Sequence, residues 1–176
     1  MPQVDVDTPP HEWRLGPAGV AGASALAPHI ARYAPSRVVA SLEPKATETG
    51  SIIAERLHVP FTTAEDLHEH DRRAIRFLGA DDFAARMRDL FAQPDSAVFG
   101  SESASAALTR FTAAVGRITS DEPDDVVIVS HGTVISLYVG ARADVSAAEL
   151  WATLGFPSYV TLELPSHRII EIVAAL

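Results

Sequence analysis

Val126-Val127-Ile128-Val129-Ser130-His131-Gly132-Thr133 decides the fold. Four apolar β-formers run straight into a polar Ser-His-Gly step, and an apolar pattern of helical spacing follows at Val134, Ile135, Leu137 and Tyr138. An unbroken apolar run of this length reads as a buried strand of a mostly parallel sheet. His131 then stands where that strand ends and a helix begins. At such a junction the first backbone N–H groups lack intrahelical partners and the helix dipole is positive, so anions bind there. An imidazole beside free amides makes a phosphate pocket. The same residue is equally consistent with a histidine that only caps a helix.

The segments on either side extend the α/β reading. Pro2 to Pro10 is polar and proline-bearing, an extended or loop segment. Pro17 to Tyr33 has helical spacing, with Pro28 expected to kink or interrupt it. Val38-Val39-Ala40 within Arg37–Ser41 is a short β-run, Pro44–His58 a helix, and Val59–Thr63 a second strand. Asp81–Gln93 and Ser103–Ser120 are helices with apolar stripes. Ser146-Ala147-Ala148-Glu149 is a capping box. Tyr159–Leu164 and Arg168–Val173 form a hairpin across a polar turn. Helices alternating with strands predict a three-layer α/β/α sandwich on a mixed, mostly parallel sheet.

Composition narrows the function. A chain of 176 residues suggests one domain, here residues 1–176. Folding should bury roughly 70% of the unfolded surface. A net charge of −9 argues against nucleic acid and anionic membranes as partners. An anionic substrate needs a local positive pocket working against that field. The absence of cysteine excludes disulfides, thiolate catalysis and thiolate metal sites. No signal peptide or spanning segment is visible, which makes the cytoplasm the default location. Gly16, Gly19 and Gly22 follow no strand and lack dinucleotide spacing.

Three ordered segments carry a resemblance. Ala40-Ser41-Leu42-Glu43-Pro44-Lys45-Ala46-Thr47-Glu48-Thr49-Gly50 is similar to an S-S-x-x-x-R-A-x-x-T-A strand-to-helix step. Leu67-His68-Glu69-His70-Asp71 is similar to an L-x-E segment, and Val127–Gly132 to a second-histidine strand. His11–Gly19 and Ser101-Glu102-Ser103 with Arg110 are weaker echoes of the same set. In this order they resemble the histidine phosphatase (phosphoglycerate mutase-like) superfamily. The resemblance implies phosphomonoester hydrolysis through a phosphohistidine, acting on a small phosphorylated substrate or inorganic phosphate, with no cofactor and no metal. A homodimer is compatible with the reading but not required by it. His131 would hold the phosphoryl oxygens with Gly132, Glu69 would protonate the leaving oxygen with a raised pKa, and Lys45 would supply positive charge.

This chain departs from the family pattern at defined places. The Arg-His-Gly/Ala motif that carries the nucleophile is lacking: no Arg-His pair precedes Lys45, and His11 and His29 follow proline. Lys45 replaces the usual arginine and loses its planar fork. Gly50 replaces alanine. The first strand of the sheet is therefore expected to be missing, with Met1 internal to a longer reading frame. Residues Met1–Asp7, with proline and acids among few positions, are poor substitutes for it.

Three further readings stay open. A relative that keeps the fold and an anion pocket without the nucleophile fits the sequence taken literally. A serine hydrolase using Ser130 has half of a G-x-S-x-G elbow, with isoleucine where the first glycine belongs. His68-Glu69-His70 resembles a small metal cluster but needs a third ligand and an ordered outer shell.

Overall fold

The computed structural model describes residues 2–5, 7–120 and 125–176. Met1 and Val6, and with them part of the Met1–Asp7 segment, lie outside the described residues. The chain opens with a loop whose Pro2 bridges Leu15, followed by a 3-10 turn at Pro10–Glu12. Six α-helices and five strands follow among the described residues: α1 (Pro17–Ala31), β1 (Arg37–Ser41), α2 (Pro44–Leu57), β2 (Phe61–Ala64), α3 (Ala80–Ala92) and α4 (Ala104–Ser120). Then come β3 (Val126–Val129), α5 (Gly132–Gly140), α6 (Ala147–Thr153), β4 (Tyr159–Glu163) and β5 (Arg168–Val173).

The period of two along each strand sorts side chains into two cores. Val38, Val127, Val129 and Tyr159 face one layer, where they meet Leu26 and Ile30 of α1 and Ile53 of α2. Val39, Val126, Ile128, Val160 and Leu162 face the other, against Met87, Leu90, Phe111, Val134 and Leu137 of α3, α4 and α5. This is the expected three-layer α/β/α arrangement.

Strands β2, β1 and β3 form a parallel sheet in that order, with Val38 opposite both Phe61 and Val127. Strands β4 and β5 form a separate antiparallel pair. Among the described residues β3 and β4 thus each have a partner on one side only. Both line a single cavity of about 1900 Å³, together with Leu26, Ile30, Phe111 and Val115 from the helices above and below. The two sheets share the same pair of helical layers and are separated by a slot in the plane of the strands. That slot corrects the expectation of a fully buried β3: all four of its residues are only partly buried, because the side away from β1 faces the cavity.

Two other expectations shift. Helix α1 runs on through Pro28 to Ala31 and is not interrupted there. Proline removes only one donor late in the helix, while Leu26, Ala27 and Ile30 stay buried. Strand β2 begins at Phe61, two residues later than the apolar run at Val59 suggests. His58 takes a left-handed conformation (φ 56°) and the Val59 amide bonds back to the Ala54 carbonyl, so Val59 closes α2.

Gly50 is explained by packing. An added Cβ would lie 2.7 Å from Phe61 Cε2 and 2.9 Å from Ala40 Cβ, so α2 approaches the sheet through a position that has no side chain.

Candidate active site

The carboxyl ends of β1 and β3 deliver the site, the end at which open α/β sheets bind ligands. β1 ends in Ser41, and the chain turns through Glu43 into α2, whose second residue is Lys45. β3 ends before His131, which caps α5 with extended backbone and no side-chain capping bond. The ring is therefore free to point elsewhere. It is 6% exposed, and its Nε2 lies 3.0 Å from Ser41 Oγ and 3.7 Å from Glu43 Oε2.

Glu69 comes from the loop after β2. The Glu69 amide donates to Glu43 Oε1 at 3.0 Å, and the carboxylate accepts from the amides of His70 (2.8 Å) and Thr133 (3.3 Å). The Thr133 bond joins the loop to the first turn of α5. A second brace comes from α4. Arg110 donates to the carbonyls of Asp66, His68 and Glu69 and pairs with Glu102 at 2.7 Å, while the Asp71 amide donates to the other side of the brace at Glu102 Oε1. The Glu102…Arg110 spacing noted in the sequence thus fixes the shape of the loop that carries Glu69. Ser130 Oγ donates to the Leu67 carbonyl at 2.7 Å, tying the end of β3 to the same loop.

The structure brings His131, Glu69, Lys45 and Gly132 to one cavity. Lys45 is not a free cation there. Its Nζ pairs with Glu43 Oε2 and donates to the Pro10 carbonyl at 2.7 Å, so the leading loop is pinned over the site. His70, beside Glu69 in sequence, turns into the core, 1% exposed, with Nε2 2.8 Å from the Glu102 carbonyl. His68 remains at the cavity wall.

Sequence reasoning missed two charged residues. Glu43 is the carboxylate shared by His131, Lys45 and the Glu69 amide. Its place two residues after a strand and just before a proline-started helix carries no local mark of burial. Arg72 lies 3.6 Å from Glu69 Oε2, with the guanidinium over the rings of Phe83 and Phe99. Its only signal was its position three residues after Glu69.

The electrostatics correct one expectation. Glu69 was expected to have a raised pKa, and it is instead lowered to about 2. Burial pushes it up, but the Arg72 guanidinium, His131 and the two amide bonds outweigh burial. The nearby charges are not only acids, and the amides favour the ionised form. His131 is lowered to about 4, first by burial and then by Lys45 and Arg72, against the pull of Glu43 and Glu69. Glu43 is lowered as well: burial opposes this, while His131 and Lys45 prevail. At neutral pH the empty site thus holds a neutral imidazole, two carboxylates and two cations.

The model of the histidine phosphatase superfamily (branch 1) matches residues 5–168. The chain belongs to this superfamily. No curated protein matches by sequence. Among solved structures, a protein titled mycobacterial hydrolase 1 superposes with a TM-score of 0.81 at 20% identity, over 99% of this chain and 95% of that one. A mycobacterial glucosyl-3-phosphoglycerate phosphatase in complex with VO3 gives 0.77 at 22% identity, over 94% and 88%. The alpha-ribazole phosphatase of Shigella flexneri gives 0.73 at 16%, over 99% and 92%. At these identities the likeness concerns the fold, and within the superfamily the chain shares the α/β architecture of these proteins. No helix among the described residues is long and apolar enough to cross a membrane.

Proposed function

We propose that this chain forms the phosphate-holding and acid-bearing part of a phosphomonoester hydrolase site for a small phosphorylated metabolite. The observation that carries the reading is the convergence of His131, Glu69 and Lys45 on one cavity at the carboxyl ends of β1 and β3. The structural neighbours titled as phosphatases, of glucosyl-3-phosphoglycerate and alpha-ribazole phosphate chemistry by name, support the substrate class without selecting a member.

In this reading the phosphoryl oxygens rest against His131 and the first amides of α5, with Lys45 adding charge. A neutral imidazole nitrogen attacks phosphorus as the bond to the leaving oxygen breaks. Glu69, ionised at neutral pH before substrate arrives, takes up a proton from solvent as substrate binds and gives it to that oxygen. Its carboxylate then accepts a proton from the water that hydrolyses the phosphohistidine. A metal is not needed for either step.

The attacking imidazole is not His131, which is turned onto Ser41 and Glu43. We assign it to a strand seated in the slot between β3 and β4. Pro2 lines the slot and is bridged to Leu15, whose amide donates to Glu48 in α2. The chain therefore enters the described structure at the carboxyl end of β1. A strand leading into Pro2 through the slot would run parallel to β3 and end beside His131.

The serine hydrolase reading finds no support. Ser130 is committed to the Leu67 carbonyl. Ser41 and Glu43 both approach the same ring nitrogen of His131, whereas a relay needs the two opposite nitrogens. A non-catalytic anion-binding relative would use the same pocket at His131 without turnover.

The test is calorimetric titration of metal-free protein with inorganic phosphate and vanadate. Binding is expected, weakened about tenfold or more in His131→Ala, the loss of one charge-assisted contact. A flat titration of the unaltered chain would remove the anion pocket and with it both readings.

A further inference from the structure

Four buried side-chain polar atoms lack a partner among the described residues: His70 Nδ1, Arg72 Nη1, Thr133 Oγ1 and Ser136 Oγ. Only one belongs to a permanent charge. Arg72 lines the cavity that holds His131 and Glu69, and its side chain is 19% exposed. Its Nη2 is 3.6 Å from Glu69 Oε2, beyond hydrogen-bonding reach, so the pair is held by charge alone. The guanidinium sits 5.1 Å from the Phe83 ring centre and 5.6 Å from that of Phe99. Those rings shield it from water, and they supply no acceptor for Nη1. A buried cationic donor without an acceptor is costly, and an oxyanion in the cavity would satisfy it.

Resting on the phosphomonoesterase reading above, we propose that Arg72 is an exchangeable anion ligand, which holds Glu69 while the site is empty and passes to an oxygen of the bound phosphoryl group, leaving Glu69 free to take up a proton. The arginine thereby couples substrate arrival to arming of the acid.

The groups around Glu69 make this exchange consistent. From the α2 side it faces Glu43 and Lys45, which neutralise one another. From β3 and α5 it faces His131 and the Thr133 amide. From α4 the facing charge is Arg110, already paired with Glu102, and from its own loop come His68, the Asp71–Arg73 pair and Arg72. Arg72 is thus the cation near Glu69 that is not hydrogen-bonded to another carboxylate. Its charge is also the largest influence holding Glu69 low against burial. Drawing Arg72 away and placing a dianion nearby both favour the protonated carboxyl, and the proton comes from solvent. His131, held low chiefly by burial, takes up a proton under the same influence.

The probe is sulfate, which stays dianionic through the mildly acidic and neutral range. With 13C-labelled glutamate and the Glu69 signal assigned through Glu69→Gln, the Glu69 midpoint is followed by NMR with and without saturating sulfate. Sulfate affinity is measured in parallel. The midpoint should rise by about two units or more with sulfate, a hundredfold or larger shift in proton affinity. That carries Glu69 out of the strongly acidic range and into the range in which sulfate is dianionic. Arg72→Met, which keeps the packing between Phe83 and Phe99, should raise the midpoint in the empty site and weaken sulfate about tenfold. Arg72→Lys should recover part of both. An unchanged midpoint in the unaltered chain, which needs no variant to fold, overturns the exchange. So does sulfate binding lost in His131→Ala but undiminished in Arg72→Met, and in that case the anion pocket stands. Absence of sulfate binding to the unaltered chain overturns both.

Discussion

Ser41 Oγ and His131 Nε2 lie 3.0 Å apart in a pocket that buries both residues. Ser41 Oγ also accepts the Glu43 amide at 3.3 Å, so its own hydrogen is available to the ring. The ring nitrogen then accepts, which requires a neutral imidazole and agrees with a pKa lowered to about 4. Replacing Ser41 by alanine leaves that nitrogen buried without its partner. The expected cost is about 1–3 kcal/mol of folding stability, read from urea midpoints. A Ser41→Ala variant as stable as the parent would show that the contact is incidental.

His131 and Glu69 set an acid limb. His131 titrates near 4 when folded, against an ordinary 6.5, so between those values the unfolded chain binds more protons and stability falls as pH falls. Glu69 continues the decline, because a carboxyl near 2 in the folded state against an ordinary 4.5 contributes stability that is lost as pH drops through that window. Urea midpoints measured across both windows should fall continuously towards acid. His131→Asn should reduce the slope in the upper window and, by removing one of the charges that hold Glu69 low, reduce part of the slope in the lower one. Equal upper slopes in the two proteins would contradict the burial of a neutral ring.

Much of this site is legible in the amino-acid sequence alone. The apolar run Val126–Val129 followed by Ser-His-Gly places His131 at a sheet end, because only the strand period and the helix start are needed. Helix ends marked by local chemistry were also readable: Ser146 Oγ does accept from the Glu149 amide. What escaped depended on distant partners. Glu43 and Arg72 are ordinary charges in sequence, and they matter only because β1, β3 and the Glu69 loop meet. The pKa of Glu69 was misjudged for the same reason, since Arg72 and the Thr133 amide are supplied by the fold. Val59 looks like a strand residue, yet a left-handed His58 spends it on closing α2.

Arg110 should matter more for shape than for charge. It holds the carbonyls of Asp66, His68 and Glu69 while paired with Glu102, both side chains being mostly buried. Arg110→Met would orphan those acceptors and leave Glu102 uncompensated. The expected loss is about 3–5 kcal/mol, measured by urea unfolding, accompanied by weaker phosphate binding because Glu69 loses its fixed position. Retention of full stability would mean the loop is held by other contacts.

Gly50 sets propensity against packing. Alanine there should gain about 1 kcal/mol in a helix interior. Its Cβ would meet Phe61 Cε2 at 2.7 Å and Ala40 Cβ at 2.9 Å, and the Ala40 contact cannot be relieved by a side-chain rotation. Overpacking of this kind costs about 1–3 kcal/mol, so Gly50→Ala should be neutral to destabilising by up to about 2 kcal/mol. Adding Phe61→Leu should recover only the part due to Phe61. A Gly50→Ala variant that gains stability would show that α2 can lift away from the sheet.

The slot between β3 and β4 yields the strongest prediction. Each strand is bonded on one side only among the described residues, and unpaired backbone groups are costly when buried. The part of the cavity lined by Val127, Val129, Val160 and Leu162 is far from the close packing of protein interiors. A strand parallel to β3 would satisfy both edges and complete the two cores, delivering its last residues to His131, Glu69 and Lys45. The in-frame nucleotide sequence upstream of the Met1 codon should therefore encode a short apolar run ending in Arg-His. A protein that includes it should have a higher urea midpoint than the 176-residue chain and hydrolyse a generic aryl phosphate. The shorter chain should bind phosphate but lack turnover, because pocket charge cannot replace a positioned nucleophile. Robust hydrolysis by the shorter chain, surviving replacement of His11 and His29, would place the nucleophile elsewhere. A stop codon upstream with no Arg-His pair before it would instead make this a non-catalytic anion-binding member of the superfamily.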